Sequence, residues 1–316
     1  MSQKRPKKLS QKRVKQNFTF VGLVLILYIL FVMFLPYVLR WLLQETNSSF
    51  LYDETLYYGI HFLIIVFGTL IPFFIMRKNC QVPLKRFNRS VKATFVDLFV
   101  QTIVFFTICI FLTYVSNILI SYLGLEGKLI SSIGFNYEDN NLSNTLYVFM
   151  LIVVTPILEE YAFRGVLLNS LSRYSKVFAL YASAIIFALA HNNFAEMIPA
   201  FAMGVALGKT SLRYKSIQPT IVIHILFNAF IYALCVMPAS ITQYMTYALV
   251  AICALAVYLI LSGRYEKISM QKAESSSYVA SLFFSRFTVI FAILLMIAYT
   301  CLVTFVYWCI CINFFI

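Results

Sequence analysis

Two adjacent carboxylates, Glu159 and Glu160, and an arginine, Arg164, lie within NTLYVFMLIVVTPILEEYAFRGVLL (144–168), a stretch otherwise apolar enough to cross a bilayer. Holding a charge at membrane depth costs a few kcal/mol even on the lenient insertion scale, so such residues generally face a protein interior or a wet cavity and work there. Glu160 and Arg164 are four residues apart and can pair along one helical face, which lowers the cost of burying both. Glu159 is rotated about 100° away. It lacks that partner and is the carboxylate free to act on water or a substrate as a general base. The competing reading is an ion-pair network that only ties helices together. Pro156, three residues upstream, predicts a kink with freed carbonyls near the same place.

Of the three histidines, two fall within apolar runs, His191 in IIFALAHNNF and His224 in IQPTIVIHILFNAF. Asn228 follows His224 by four residues and shares its helix face, and Phe187 precedes His191 by one turn. His61 has no polar partner at helical spacing and reads as a packing residue. Gly204 and Gly208 have the small-xxx-small spacing that lets helices approach closely, which is packing rather than catalysis. Asn192, Asn193 and Glu196 read as a loop between two spans.

These residues must be positioned by membrane helices. The 316-residue chain is 61% hydrophobic and 12% charged, with a mean hydropathy of +0.85, against roughly 25% charged residues in ordinary soluble domains. Apolar runs near the spanning length of about 20 residues occur at 18–43, 55–76, 94–123, 144–168, 177–193, 196–213, 216–236, 240–262 and 284–312. The expected fold is an all-α polytopic membrane bundle of eight or nine transmembrane helices. The last run, 284–316, spans once or lies partly in the interface. The first run is too long for a signal-peptide core and stays as a helix. Six of the seven cysteines lie in apolar spans, where they act as small hydrophobes rather than disulfides or metal ligands.

Orientation follows from the basic residues. Residues 1–17 carry seven Lys or Arg and no acid, and 77–92 carries Arg77, Lys78, Lys85, Arg86, Arg89 and Lys92. Both are expected on the cytoplasmic side. Residues 44–54 and 124–143 hold Glu45, Asp53, Glu54, Glu126, Lys128, Glu138 and Asp139 and should face outward. Arg173, Lys176, Lys209, Arg213, Lys215, Arg264, Lys267 and Lys272 continue the alternation. The net charge of +13 thus sits beside membrane ends, where anionic headgroups attract it. Anionic lipids at the basic tail are therefore expected partners, and nucleic acid is not. A multi-pass location with a cytoplasmic N-terminus is expected, in the plasma membrane, with the ER membrane as the alternative.

In order, E159-E160-Y-A-F-R164, F187-A-L-A-H191 and H224-I-L-F-N228 resemble the EExxxR, FxxxH and HxxxN motifs of the CPBP family. This is the CAAX protease and bacteriocin-processing (Abi) group of intramembrane proteases. The resemblance covers about 144–236, flanked by a tail (1–17), N-terminal helices (18–143) and C-terminal helices (237–316). Each motif fixes few positions, but three in order on consecutive spans are specific. The Gly and Trp usual before the last motif are absent from KTSLRYKSIQPTIVI (209–223), the approach to His224.

The resemblance implies an endopeptidase in which Glu159 activates water and His191 helps hold it. His224 and Asn228 then stabilise the oxyanion, with Glu160, Arg164 and Phe187 in support. Hydrolysis needs a base on one side and donors toward developing charge on the other. Two histidines with a glutamate, Glu159, His191 and His224, would suit zinc completed by water, yet no HExxH helix is present and a metal-free glutamate mechanism fits equally. The implied partner is a peptide or protein substrate, lipidated or membrane-embedded.

Two other classes compete. A proton-coupled transporter would use the same buried acids and histidines, but no inverted repeat accompanies them. A non-catalytic immunity or interaction protein would keep the fold without needing Glu159. Depth supplies a check. At 1.5 Å per residue, His191 lies deeper than Glu159 and His224 unless its helix starts late, near residue 182, and that late start is the expectation.

Overall fold

The computed structural model describes residues 11–45, 54–83, 95–122, 142–262 and 276–313, and all regular structure within them is helical. Helix α1 runs from Gln11–Tyr28 through a π-helical stretch, Ile29–Phe34, into Leu35–Glu45. Helices α2 (Glu54–Asn79) and α3 (Phe95–Tyr122) follow. Helix α4 is built from five consecutive pieces between Leu142–Phe149 and Asn169–Ser172. Then come α5 (Lys176–Leu189), α6 (Phe194–Tyr214), α7 (Gln218–Val236), α8 (Ala239–Leu261), α9 (Ser276–Phe284) and α10 (Phe287–Asn313). The tail 1–10 and the connections at 46–53, 84–94, 123–141 and 263–275 lie outside the described residues. So do Lys85, Arg86, Arg89, Lys92, Asp53, Glu126, Lys128, Glu138, Asp139, Arg264, Lys267 and Lys272, on which much of the charge alternation rests.

Four helical stretches are long and apolar enough to cross a membrane, Gln11–Phe34, Tyr58–Asn79, Leu98–Leu119 and Asn144–Ser172. A fifth arises if Ser276–Phe284 and Phe287–Val303, bent by 78° at their junction, form one broken span. Lys176–Leu189, Gln218–Leu234 and Gln243–Tyr258 are apolar but shorter. The all-helical membrane fold stands, and the count of eight or nine crossings is not confirmed. An apolar run in sequence is not yet an uninterrupted helix. The run 177–193, for instance, ends its helix at Leu189.

Lipid offers helices no hydrophobic reason to associate, so close packing and hydrogen bonds must hold the bundle. The Gly204–Gly208 pair does this between α5 and α6. A Cβ at Gly204 would fall 2.8 Å from Ala184 Cα, and one at Gly208 would fall 2.5 Å from Leu180 Cδ1. Gly22 packs α1 on α10 in the same way, 2.6 Å separating its Cβ direction from the Thr288 backbone. Polar ties reinforce these contacts. Thr288 Oγ1 donates to the Thr19 carbonyl at 2.9 Å, Tyr299 Oη to the Met33 carbonyl at 2.9 Å, and Asn17 Nδ2 to Tyr174 Oη at 2.7 Å.

The expected late start of α5 is wrong. Ser175, in an extended conformation, caps the helix by accepting from Phe178 N, so the helix begins at once at Lys176. No late start is needed, because Glu159 is itself about 20 Å from the Ser172 end of α4 and His191 about 22 Å from Lys176, at the common rise.

Candidate active site

The backbone of α4 is irregular where its polar residues lie. Pro156 has no N–H to donate, and its ring crowds the carbonyl one turn back. The chain is π-helical over Met150–Val154, α-helical over Thr155–Glu159, and π-helical again over Glu160–Leu168. Such widened turns are uncommon and concentrate at functional sites. Here they bracket the carboxylate pair. Pro156 therefore marks more than a kink, since the helix axis is re-registered on both sides of Glu159.

Glu160 and Arg164 are buried and pair at 2.9 Å, as the spacing requires. Glu160 has a second partner that helical spacing could not reveal. His224, from α7, places Nδ1 3.0 Å from the same Glu160 Oε1. Its other nitrogen, Nε2, stands 3.7 Å from Glu159 Oε2. One imidazole thus spans both carboxylates. The Glu160 side chain is 0% exposed and that of Glu159 is 21% exposed, so only Glu159 presents a surface to anything entering the site.

Phe187 is the hub that fixes this arrangement. The Arg164 guanidinium lies over its ring at 4.0 Å, an attraction that grows when the cation is desolvated. The rings of His191, Phe163 and His224 meet it edge-on, with centroids at 4.7, 5.2 and 6.1 Å. His191 lies in the polar turn beyond the end of α5, and its Nδ1 is 2.8 Å from the Phe187 carbonyl. A carbonyl only accepts, so Nδ1 carries the proton and neutral His191 keeps its lone pair on Nε2. His191 and Glu159 are within electrostatic reach of each other.

Asn228 shares the His224 face of α7, yet its Nδ2 donates to the Leu151 carbonyl at 3.0 Å. Leu151 belongs to the first π-helical stretch of α4, so one amide proton goes to a carbonyl the irregular backbone leaves open. Asn193 caps α6 by accepting from Ala195 N, and it donates to Glu196 Oε1 at 3.0 Å. The loop expected there is a capped helix start.

The structure therefore brings Glu159, Glu160, Arg164, Phe187, His191 and His224 into one cluster from α4, α5 and α7, with Asn228 one helical turn beyond His224. For Phe187 the sequence pointed to a supporting role, and no spacing rule could show four side chains converging on its ring. As a zinc site the donors do not fit, since among the described residues no group of three His, Cys, Asp or Glu side chains is gathered to hold a metal ion.

Comparison with known proteins gives a concordant picture. Residues 141–230 match a family model described as type II CAAX prenyl endopeptidase Rce1-like. The chain is also similar to the membrane-embedded CAAX protease MroQ of Staphylococcus aureus (strain USA300), 34% identical over 93 residues. That similarity takes in 27% of this chain and spans only 38% of the relative's length. No solved structure gives a significant match. Neither comparison favours the carrier or the non-catalytic reading.

Proposed function

We propose that this chain, a member of the CAAX protease family over residues 141–230, is an intramembrane endopeptidase that hydrolyses a peptide bond with a Glu159-activated water. The observation that carries the reading is the His224 bridge, 3.0 Å to Glu160 and 3.7 Å to Glu159, with only Glu159 exposed.

The division of labour follows from those contacts. Glu160 is committed to Arg164 and His224, so it orients rather than reacts. Glu159 takes a proton from water as the water oxygen bonds to the scissile carbonyl carbon. His191, with its Nε2 lone pair, accepts a hydrogen bond from the same water. The carbonyl becomes an oxyanion, stabilised by His224, whose ring in this role carries protons on both nitrogens and donates from Nε2 while Nδ1 donates to Glu160, and by the amide proton that Asn228 has left after serving Leu151. The proton held by Glu159 then passes to the leaving amine nitrogen as the C–N bond breaks. No step passes through a metal. The substrate is a lipidated or membrane-embedded peptide, and the basic ends of the bundle contact anionic lipid.

The test is a cleavage assay with purified protein in proteoliposomes and a membrane-inserted reporter peptide. Glu159→Gln should lower cleavage by a factor of about 10² to 10⁴ with an unchanged melting profile. Undiminished cleavage by that variant overturns the mechanism.

A further inference from the structure

Tyr28 lies where α1 passes from α-helical to π-helical geometry, outside all three motifs and outside the matched segment 141–230. It is only 5% exposed. Its ring meets Phe73 at 5.5 Å and Phe163 at 5.9 Å, both edge to face. Phe163 is one turn after Glu159 and packs on Phe187 at 5.2 Å, so Tyr28 joins the aromatic cluster under the carboxylates. Tyr28 and Glu159 are within electrostatic reach of each other.

Depth gives independent support. The Asn17–Tyr174 hydrogen bond levels α1 with the turn that follows α4. Tyr28 is three helical turns beyond Asn17, about 16 Å at the common rise. Glu159, about 20 Å from the Ser172 end of α4, lies within about one turn of that depth. Helix α1 is also fixed lengthwise, since Gly22 is seated against Thr288 and the Thr288 hydroxyl donates to the Thr19 carbonyl.

A buried tyrosine hydroxyl normally finds a hydrogen-bond partner. The Tyr28 ring is held by packing against Phe163, one turn after the carboxylate of the site that is left partly open. Packing alone would be served equally by phenylalanine.

We infer that Tyr28 is a positioning residue for Glu159, its phenol donating a hydrogen bond to the carboxylate as that carboxylate engages water. A neutral donor orients the base without pairing away its charge, as a second cation would. His224 Nε2 approaches Glu159 from α7, and Tyr28 approaches it from α1, so the base is held by two helices besides its own. The inference rests on the hydrolytic reading above and extends the site to a helix outside the matched segment 141–230.

The test has one arm that needs no catalysis. In infrared difference spectra of the purified protein, the carboxylate band that Glu159→Gln removes is assigned to Glu159, and Tyr28→Phe should shift it. In the cleavage assay Tyr28→Phe should lower kcat about tenfold, the worth of one hydrogen bond to a charged group, and leave KM within about twofold. Its melting temperature should match the parent, whereas Tyr28→Leu should lose both rate and stability. An unmoved band, an unchanged kcat, or a Tyr28→Phe melting loss equal to that of Tyr28→Leu each overturns the role. If the parent protein cleaves nothing, the hydrolytic reading fails by itself and the infrared arm still decides the Tyr28–Glu159 contact.

Discussion

His224 Nδ1 lies 3.0 Å from Glu160 Oε1, so the histidine of the third motif is held by the second glutamate of the first. This contact joins residues 64 positions apart and gives Glu160 a purpose beyond its ion pair. It fixes the imidazole so that Nε2 faces Glu159.

Arg164 and Glu160 form a buried pair, and removing one partner strands the other charge, a loss of about 3–5 kcal/mol. Arg164→Met should therefore lower the melting temperature of the detergent-solubilised protein sharply. Combining it with Glu160→Gln should recover part of that stability, because no bare charge remains. The double variant should still cleave poorly, since His224 has lost its anchor. A double variant less stable than the sum of the two single changes would contradict this account.

Phe187 carries a cation on its face and three rings at its edge. Replacing it with alanine should cost about 3–5 kcal/mol from the cavity alone. Phe187→Leu fills most of that space and isolates the loss of the ring. It should remain folded, with stability reduced by about 1–2 kcal/mol and a lower kcat. Thermal unfolding and steady-state cleavage of the leucine variant check both numbers.

Gly204 and Gly208 are not equivalent. The Cβ of Gly204→Ala meets backbone of α5, Ala184 Cα at 2.8 Å, which cannot move aside. That of Gly208→Ala meets the end of the Leu180 side chain at 2.5 Å, which can change rotamer. Gly204→Ala should destabilise by about 1–3 kcal/mol and Gly208→Ala by less. Melting curves of the two variants, measured side by side, give the order.

Exhaustive dialysis against a chelator should leave cleavage intact if hydrolysis proceeds as proposed, with Glu159 alone activating the water. Loss of cleavage that zinc restores would instead assign Glu159, His191 and His224 as ligands. Metal content of the active protein, measured by mass spectrometry, distinguishes the two outcomes.

Several of these relationships are legible in the chain itself. Composition and apolar runs dictate a helical membrane protein, because a backbone in lipid must satisfy its own hydrogen bonds. Helical spacing pairs Glu160 with Arg164 and leaves Glu159 apart, and the 3.6-residue period that predicts this is local. Small-residue spacing marks Gly204 and Gly208 as a packing face. The three motifs name the polar residues that gather.

Only the tertiary structure decided how those residues meet. The His224 bridge, the convergence on Phe187, the Asn228–Leu151 bond and the Tyr28–Phe163 contact all join different helices. Their geometry depends on helix crossing, depth and rotation, none of which a periodic pattern encodes. The π-helical stretches around Glu159 shift the phase of α4 and cannot be placed by counting at 3.6 residues per turn. Length misled in the same way at α5, where an early end, not a late start, accompanies the placement of His191. The sequence thus determined which groups are available and which of them share a face. Packing across helices determined which carboxylate is bound and which is left open to react.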